Sequence, residues 1–231
     1  MLKEENIKAR KTQNRYRWVY DGVISRFYDR SLKIGLSLFG EKKLRKRVID
    51  LISPLINRND FVLDLCCGTG TLTTMLAGSV HSGCNIVGVD LSEGQILQAI
   101  KKNLFTNLDF KVMDASNLKF KNESFNIVLI SAALHEMDKT LRSRVLQEVH
   151  RILKKEGYFL IFDHHEPSEP KLRVLYNFYL GFWEKILSHS AEMQRNILKE
   201  LKSAKFVIID QIILDKKFYK FFQSIISRKQ L

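Results

Sequence analysis

Proline is scarce in this chain, with three in 231 residues, and cysteine is no commoner. Two of the three cysteines, Cys66 and Cys67, are adjacent, so they do not make a disulfide framework, and a reducing cytoplasm is the expectation. No apolar run reaches the roughly 20 residues that a membrane-spanning helix needs. The charged N-terminal stretch lacks an apolar h-region followed by a small-residue cleavage site, so no signal peptide is expected. Internal repeats, low-complexity segments and linkers are also missing. The length suits one α/β domain with an appended cap, large enough for a full core.

What the chain does have is positive charge, a formal net +13. Such a balance serves nucleic acid, an anionic membrane surface or an acidic substrate, or is simply a solvated helix face. The basic residues are spread out, with denser runs at Lys8 to Arg17 and Lys42 to Arg47.

The organising stretch is Phe61-Val62-Leu63-Asp64-Leu65-Cys66-Cys67-Gly68-Thr69-Gly70. Mostly apolar residues run into small ones, the pattern of a buried parallel strand entering a tight turn. Gly68 and Gly70 let the chain take angles closed to other residues and let a ligand lie against the main chain. A helix from Thr71 to Ala77 then turns its N-terminal N–H groups to the same spot. Strand, glycine turn and helix open a nucleotide-binding βαβ unit. Thr73 stands where the dinucleotide fingerprint wants its third glycine, which disfavours NAD, and no Lys-Ser/Thr pair follows for a P-loop. Asp64 sits where a carboxylate faces a cationic ligand.

Further along, Asn85 to Asp90 reads as a second strand ending in an acid. Asp90 lies 20 residues beyond Gly70, the place of a ribose-binding carboxylate. Ser92-Glu93-Gly94-Gln95 resembles a capping box launching a helix, with Ile96, Leu97, Ile100 and Leu104 expected inward. Leu108 to Met113 is a third strand followed by Asp114-Ala115, and Phe125 to Ile130 a fourth followed by the loop Ser131 to Met137. Asp138 is placed to cap a helix bearing Leu141, Val145, Leu146, Val149, Ile152 and Leu153, which Gly157 ends. Tyr158 to Phe162 is a fifth strand closing in Asp163-His164-His165-Glu166. Asp64/Gly68, Asp90, Asp114, Ser131/His135 and Asp163/His164 thus all fall at C-terminal strand ends, the edge where open α/β sheets bind ligands.

Over residues 60–215 this arrangement resembles the class I S-adenosylmethionine (SAM) methyltransferases. Their first motif reads acidic-x-Gly-x-Gly-x-Gly, with Cys66 here in place of the first glycine. The resemblance implies a seven-stranded, mostly parallel Rossmann-like sheet with helices on both faces. It implies an N-terminal helical lid over 1–57 and a core over 58–231 with a helical cap insertion near 167–190. The final apolar segment, Phe218 to Ile226, suits helix or strand by its spacing, and the family's antiparallel seventh strand decides for strand. SAM is the implied cofactor, held by Asp64, Cys66, Cys67, Gly68, Thr69, Gly70, Asp90, Leu91, Asp114, Ala115 and Ser131.

Tyr20-Asp21 and Phe27-Tyr28-Asp29 before the motif, Leu65-Cys66-Cys67-Gly68, and Arg151-Ile152-Leu153-Lys154 look like the ubiquinone/menaquinone biosynthesis C-methyltransferases. That group's usual Arg-Asn after strand four is His135-Glu136 here, and its Glu-Phe-Ser after strand five is Asp163-His164-His165. The resemblance implies a small, aromatic or lipid-like acceptor such as a quinone precursor, lined by Tyr20, Tyr28, His135, His165 and Tyr176. Histidine takes a proton near neutral pH, so His135, then His164 or Asp163, is the candidate catalytic group; packing or a helix-entry hydrogen bond is the alternative. No metal site is expected from His164, His165 and Glu166, because adjacent side chains on extended backbone point apart. The basic charge with an apolar cap allows peripheral contact with anionic membrane. Nucleic acid is a poorer partner, because Ser131-Ala132-Ala133-Leu134 is not the Asn/Asp-Pro-Pro-aromatic motif of amino-group methylators. A catalytically silent SAM-binding scaffold is the non-enzyme alternative.

Overall fold

A computed structural model describes residues 41–165, 167, 169–174, 176, 190–214 and 221–230. The chain divides into two compact units after Lys119. Tyr20, Tyr28 and the rest of the expected lid before residue 41 lie outside the described residues, as do Glu166 and most of the expected cap between 175 and 189.

In the first unit, helix α1 (Glu41–Ile52) leads through a single 3₁₀ turn at Ser53–Leu55 to strand β1 (Phe61–Leu65). Helix α2 (Thr71–Ala77), strand β2 (Asn85–Asp90), helix α3 (Glu93–Lys102) and strand β3 (Leu108–Val112) follow. β2 lies parallel to both β1 and β3, with Asp64 opposite Gly88 and Asp90 opposite Val112. All of β1 after Phe61 is buried, as its apolar run demands.

The helix α3 is phased differently from the expectation. Leu97, Ile100 and Leu104 are 50%, 51% and 89% exposed, and the buried side chains are Gln95, Ile96 and Ala99. The reason is a close approach: a Cβ on Gly70 would stand 2.8 Å from the Ala99 Cβ and 2.6 Å from the Phe110 ring. A small residue at position 99 lets the helix and the glycine turn come this near, which turns Leu97 and Ile100 outward, while Leu104 lies past the end of the helix.

The second unit holds strand β4 (Phe125–Ser131), a 3₁₀ turn at Leu134–Glu136, helix α4 (Lys139–Ile152) and strand β5 (Leu153–His164). Helix α5 (Ser190–Ser203) and strands β6 (Phe206–Ile213) and β7 (Phe222–Lys229) complete it. β4 and β5 are parallel, while β7 runs antiparallel to both β5 and β6. Asp138 caps α4, accepting from Leu141 N at 2.9 Å. Arg142, fully buried, clamps the same entry by donating to Met137 O at 2.6 Å and to both carboxylate oxygens of Glu200 at 2.9 Å.

Two boundaries differ from the sequence reading. α4 ends at Ile152, five residues before Gly157, because Leu153 already pairs with Phe125 in the sheet. Glu156, at φ 60°, and Gly157 make an irregularity within β5, after which Tyr158 pairs with Ile127. The last apolar segment is a strand, and it begins at Phe222. The hydrogen-bonded strand order is β3-β2-β1-β4-β5-β7-β6, a seven-stranded, mostly parallel Rossmann-like sheet.

Candidate cofactor cleft and histidine cluster

The first unit gathers the glycine turn, Asp64 and Asp90 at the C-terminal ends of β1 and β2. Cys66 leaves β1 at φ 58°, and Gly68 and Gly70 follow at φ 55° and 70°. Cys67 N donates to Val89 O at 2.9 Å and Gly70 N to Cys67 O at 3.0 Å, which tie the turn to β2 and to itself. Asp90 completes the tie: its Oδ2 accepts from Gly68 N and its Oδ1 from Ser92 N, both at 2.9 Å. The acid expected to read a ribose therefore also positions the loop and the start of α3. These two bonds hold the carboxylate at the end of β2 beside the glycine turn.

Asp64 is buried and its Oδ2 accepts from Thr73 Oγ1 at 2.6 Å. The hydroxyl at the third glycine position is thus a partner for the motif's acid, a role the bare spacing did not reveal. Asp64 Oδ1 has no hydrogen-bond partner among the described residues. Burial pushes the Asp64 carboxyl up to about 7, against the opposing pull of the Thr73 hydroxyl and the Arg45 charge. A buried acid with one oxygen unmet fits a cationic ligand. So does Gly68, whose missing side chain would, among the described residues, meet only Gln95 Oε1, at 4.0 Å. The residues present therefore fit SAM: open main chain at Gly68, an acid at Asp64, and Asp90 at the adjacent strand end.

The other cofactor candidates of this unit are less exposed to chemistry. Thr69 is buried with its hydroxyl 3.3 Å from that of Thr71. Burial pushes the Cys67 thiol well up, so it is an inert packing group rather than a nucleophile. Leu91, Asp114 and Ala115 are half-buried just past β2 and β3. Asp114 Oδ1 accepts from Ser116 N at 2.8 Å and Ser116 Oγ at 2.9 Å, which shapes the turn after β3. Gln95, missed as a site residue, is buried with Oε1 unpartnered.

In the second unit, His135, Asp163 and His164 come together at the ends of β4 and β5. Their donor atoms lie within 4.8 Å of one another. Asp163 is 1% exposed and accepts four N–H groups. Oδ1 takes His135 Nδ1 and His164 N at 2.7 Å, and Oδ2 takes Leu134 N at 3.0 Å and His135 N at 3.3 Å. The carboxylate thus holds both the loop and the imidazole. Burial works against a charge on His135, but the Asp163 carboxylate outweighs it and raises the histidine's pKa. Burial works equally against a charge on Asp163, and the His135 imidazolium outweighs it to lower that carboxyl. His164 stands edge-on to His135, ring centroids 4.4 Å apart, and stacks on Phe222 at 5.1 Å. Burial and the neighbouring His135 charge depress it to about 3, so it stays neutral, with Nδ1 unpartnered.

Ser131 ends β4, half-buried, in this unit. His165 is half-buried, its backbone N donating to Phe221 O at 2.7 Å. Tyr176 is 2% exposed, its ring 5.3 Å from that of Phe221, a packed position.

A family of methyltransferase domains matches residues 62–157. With the strand order and the Asp64/Gly68/Asp90 cleft, this defines a class I SAM-dependent methyltransferase. The chain resembles the quinone-biosynthesis branch of that class. It is 35% identical over 123 residues to a demethylmenaquinone methyltransferase of Lactobacillus johnsonii, covering 52% of this chain and 50% of that protein. The chain thus spans half the length of that relative. It is 29% identical over 198 residues to the enzyme of the same name from Staphylococcus epidermidis, covering 85% and 80%. Among solved structures, a SAM-dependent methyltransferase of Methanosarcina mazei superposes with a TM-score of 0.62 at 24% identity, over 78% of this chain and 97% of that one, a likeness of fold.

Proposed function

We propose that the enzyme methylates an aromatic carbon or hydroxyl of a small, lipid-like acceptor of the quinone-precursor type, with His135 taking the proton that the acceptor gives up. The observation that carries this reading is the buried His135–Asp163 pair at 2.7 Å. With Nδ1–H donated to the carboxylate, the neutral ring keeps its lone pair at Nε2. On taking a proton it becomes an imidazolium that Asp163 stabilises, the arrangement of an oriented general base.

SAM supplies an activated methyl on a sulfonium, so transfer needs alignment and a proton acceptor rather than a strong nucleophile. The chain's own contributions would be to bind the cofactor through Asp64, the Gly68 main chain and Asp90, with Asp114 as the acceptor for the adenine amino group, and to hold the acceptor's proton at His135. Neutral His164 beside it is a second acceptor for a substrate hydroxyl. The names of the quinone-branch relatives support the acceptor class, while His135-Glu136 and Asp163-His164-His165 replace that group's usual residues and point to a different member of it.

The test is methylation of extracted demethyl quinols by the purified protein with methyl-labelled SAM. Label is expected in the quinone fraction. Label in RNA instead, with salt-sensitive binding, would assign the enzyme to nucleic acid. The net charge of +13 supports a cytoplasmic enzyme that visits anionic membrane to collect its acceptor. Among the described residues, no helix is long and apolar enough to cross one. Sedimentation with anionic vesicles at low salt, lost at high salt, is the expected result; negligible binding to anionic and neutral vesicles alike would remove the membrane from the reading.

A further inference from the structure

Gln95 lies in the first turn of α3 and is 1% exposed. In a capping box its side chain would reach back to the N-cap N–H. Here that N–H belongs to Ser92 and is taken by Asp90 Oδ1 at 2.9 Å, so the amide is released from the duty. Half of the box survives, with Gln95 N donating to Ser92 Oγ at 3.2 Å. Among the described residues, Gln95 Oε1 is left buried with no partner. Buried amide oxygens are almost always hydrogen-bonded, and one left unmet calls for an explanation.

The direction of the amide supplies one. Oε1 faces the glycine turn, 4.0 Å from where a Cβ on Gly68 would stand, and among the described residues it is the one atom such a Cβ would approach. On the main-chain side of the same glycine, Asp90 Oδ2 accepts from Gly68 N. A carboxylate at the end of β2 and a neutral amide in the first turn of α3 therefore flank one open glycine. The donors of SAM are an ammonium, an adenine amino group and two ribose hydroxyls. Asp64, a buried acid, matches the cation, whereas a neutral acceptor beside Asp90 matches a hydroxyl.

We propose that Gln95 is a cofactor-binding residue whose side-chain oxygen accepts a ribose hydroxyl of the adenosyl group, completing the reading of the ribose that Asp90 begins. The assignment rests on SAM as the cofactor.

The experiment is calorimetric binding of SAM and of 5′-methylthioadenosine, which keeps the ribose but lacks the ammonium and carboxylate, to the wild type, Gln95→Met and Gln95→Glu. Gln95→Met keeps the length and removes the acceptor, and both ligands are expected to bind about tenfold more weakly. Gln95→Glu keeps an acceptor and is expected to retain most of the affinity. The unliganded Gln95→Met protein should melt no lower than the wild type, because an unmet buried oxygen has been removed. Unchanged affinity for SAM in Gln95→Met overturns the proposal. So does a loss seen with SAM and not with methylthioadenosine, which moves the contact to the methionyl end, and so does a lower melting temperature, which makes the amide structural. A wild-type protein that binds neither ligand overturns the cofactor assignment itself, a result distinct from these.

Discussion

His135 Nδ1 and Asp163 Oδ1 lie 2.7 Å apart in a buried pair whose carboxylate is also held by the backbone N–H groups of Leu134, His135 and His164. If this pair is the base, His135→Ala should bind SAM almost normally and turn over about a hundred- to ten-thousandfold more slowly. Asp163→Asn should lower the His135 pKa, read by NMR titration of the ring, and move the alkaline-rising limb of the rate profile to lower pH. The stability signs are opposite for the two partners. The raised histidine stabilises the fold at low pH and loses that contribution as pH rises through its folded pKa. The lowered aspartate stabilises above its unfolded value and loses the contribution as pH falls through its folded one. The ion pair is therefore at full strength from about pH 4 to about pH 6.5. Full turnover in His135→Ala would return the proton to His164 or Asp163.

Asp64 gives cofactor binding a pH dependence of its own. Its carboxyl, pushed up to about 7 by burial, is half protonated near neutrality, and the protonated form cannot pair with a cation. SAM affinity should rise as pH rises through about 7, with protons released on binding. Calorimetry in buffers of different ionisation enthalpy reads that release directly. The unliganded fold has the reverse trend, since a raised carboxyl makes the native state the better proton binder, and stability falls as pH rises toward 7. Asp64→Asn should flatten both curves; a binding curve unchanged by that substitution would exclude Asp64 as the titrating group.

For Asp90, the loss has two parts. Asp90→Ala removes a charge-assisted bond worth roughly 1.5–3 kcal/mol to the ligand, so SAM affinity should fall by about ten- to a hundredfold. It also strands Gly68 N and Ser92 N, the two N–H groups the carboxylate now satisfies, so the melting temperature should fall as well. A folded variant with unchanged SAM affinity would remove Asp90 from the ribose site.

In each unit the residues at the strand ends are legible in the chain because they are spaced by whole βα units. Asp64, Asp90 and Asp114 in the first unit, and His135 and Asp163 in the second, can be placed that way. What the spacing does not carry is who bonds to whom. That Thr73 serves Asp64, or that Asp90 takes Ser92 N and frees Gln95, depends on side-chain directions set by packing. Helix phase fails for the same reason: Leu97, Ile100 and Leu104 make as good an apolar stripe as Ile96 and Ala99. The need for a small residue against Gly70 and Phe110 decides between them, and that need exists only once the turn is folded. The end of α4 is hidden too, because Leu153 continues the apolar period of the helix while pairing as a strand.

The two glycines of the turn allow the fold and the ligand to be separated by one experiment. Gly68 and Gly70 both hold positive φ, at 55° and 70°, so alanine at either position carries a backbone penalty of roughly 1–2 kcal/mol. Their surroundings differ. A Cβ on Gly70 would stand 2.6 Å from the Phe110 ring and 2.8 Å from Ala99, both buried, so Gly70→Ala must also push the core apart, at about 1–3 kcal/mol more. Among the described residues, a Cβ on Gly68 meets nothing closer than Gln95 Oε1 at 4.0 Å, so its further effect is to fill space left for the ligand. Gly70→Ala should therefore lower the melting temperature the more, whereas Gly68→Ala should lose only the backbone contribution and bind SAM much more weakly. Thermal unfolding with and without SAM distinguishes the two. Normal SAM stabilisation of Gly68→Ala would show that the cofactor does not lie against this turn.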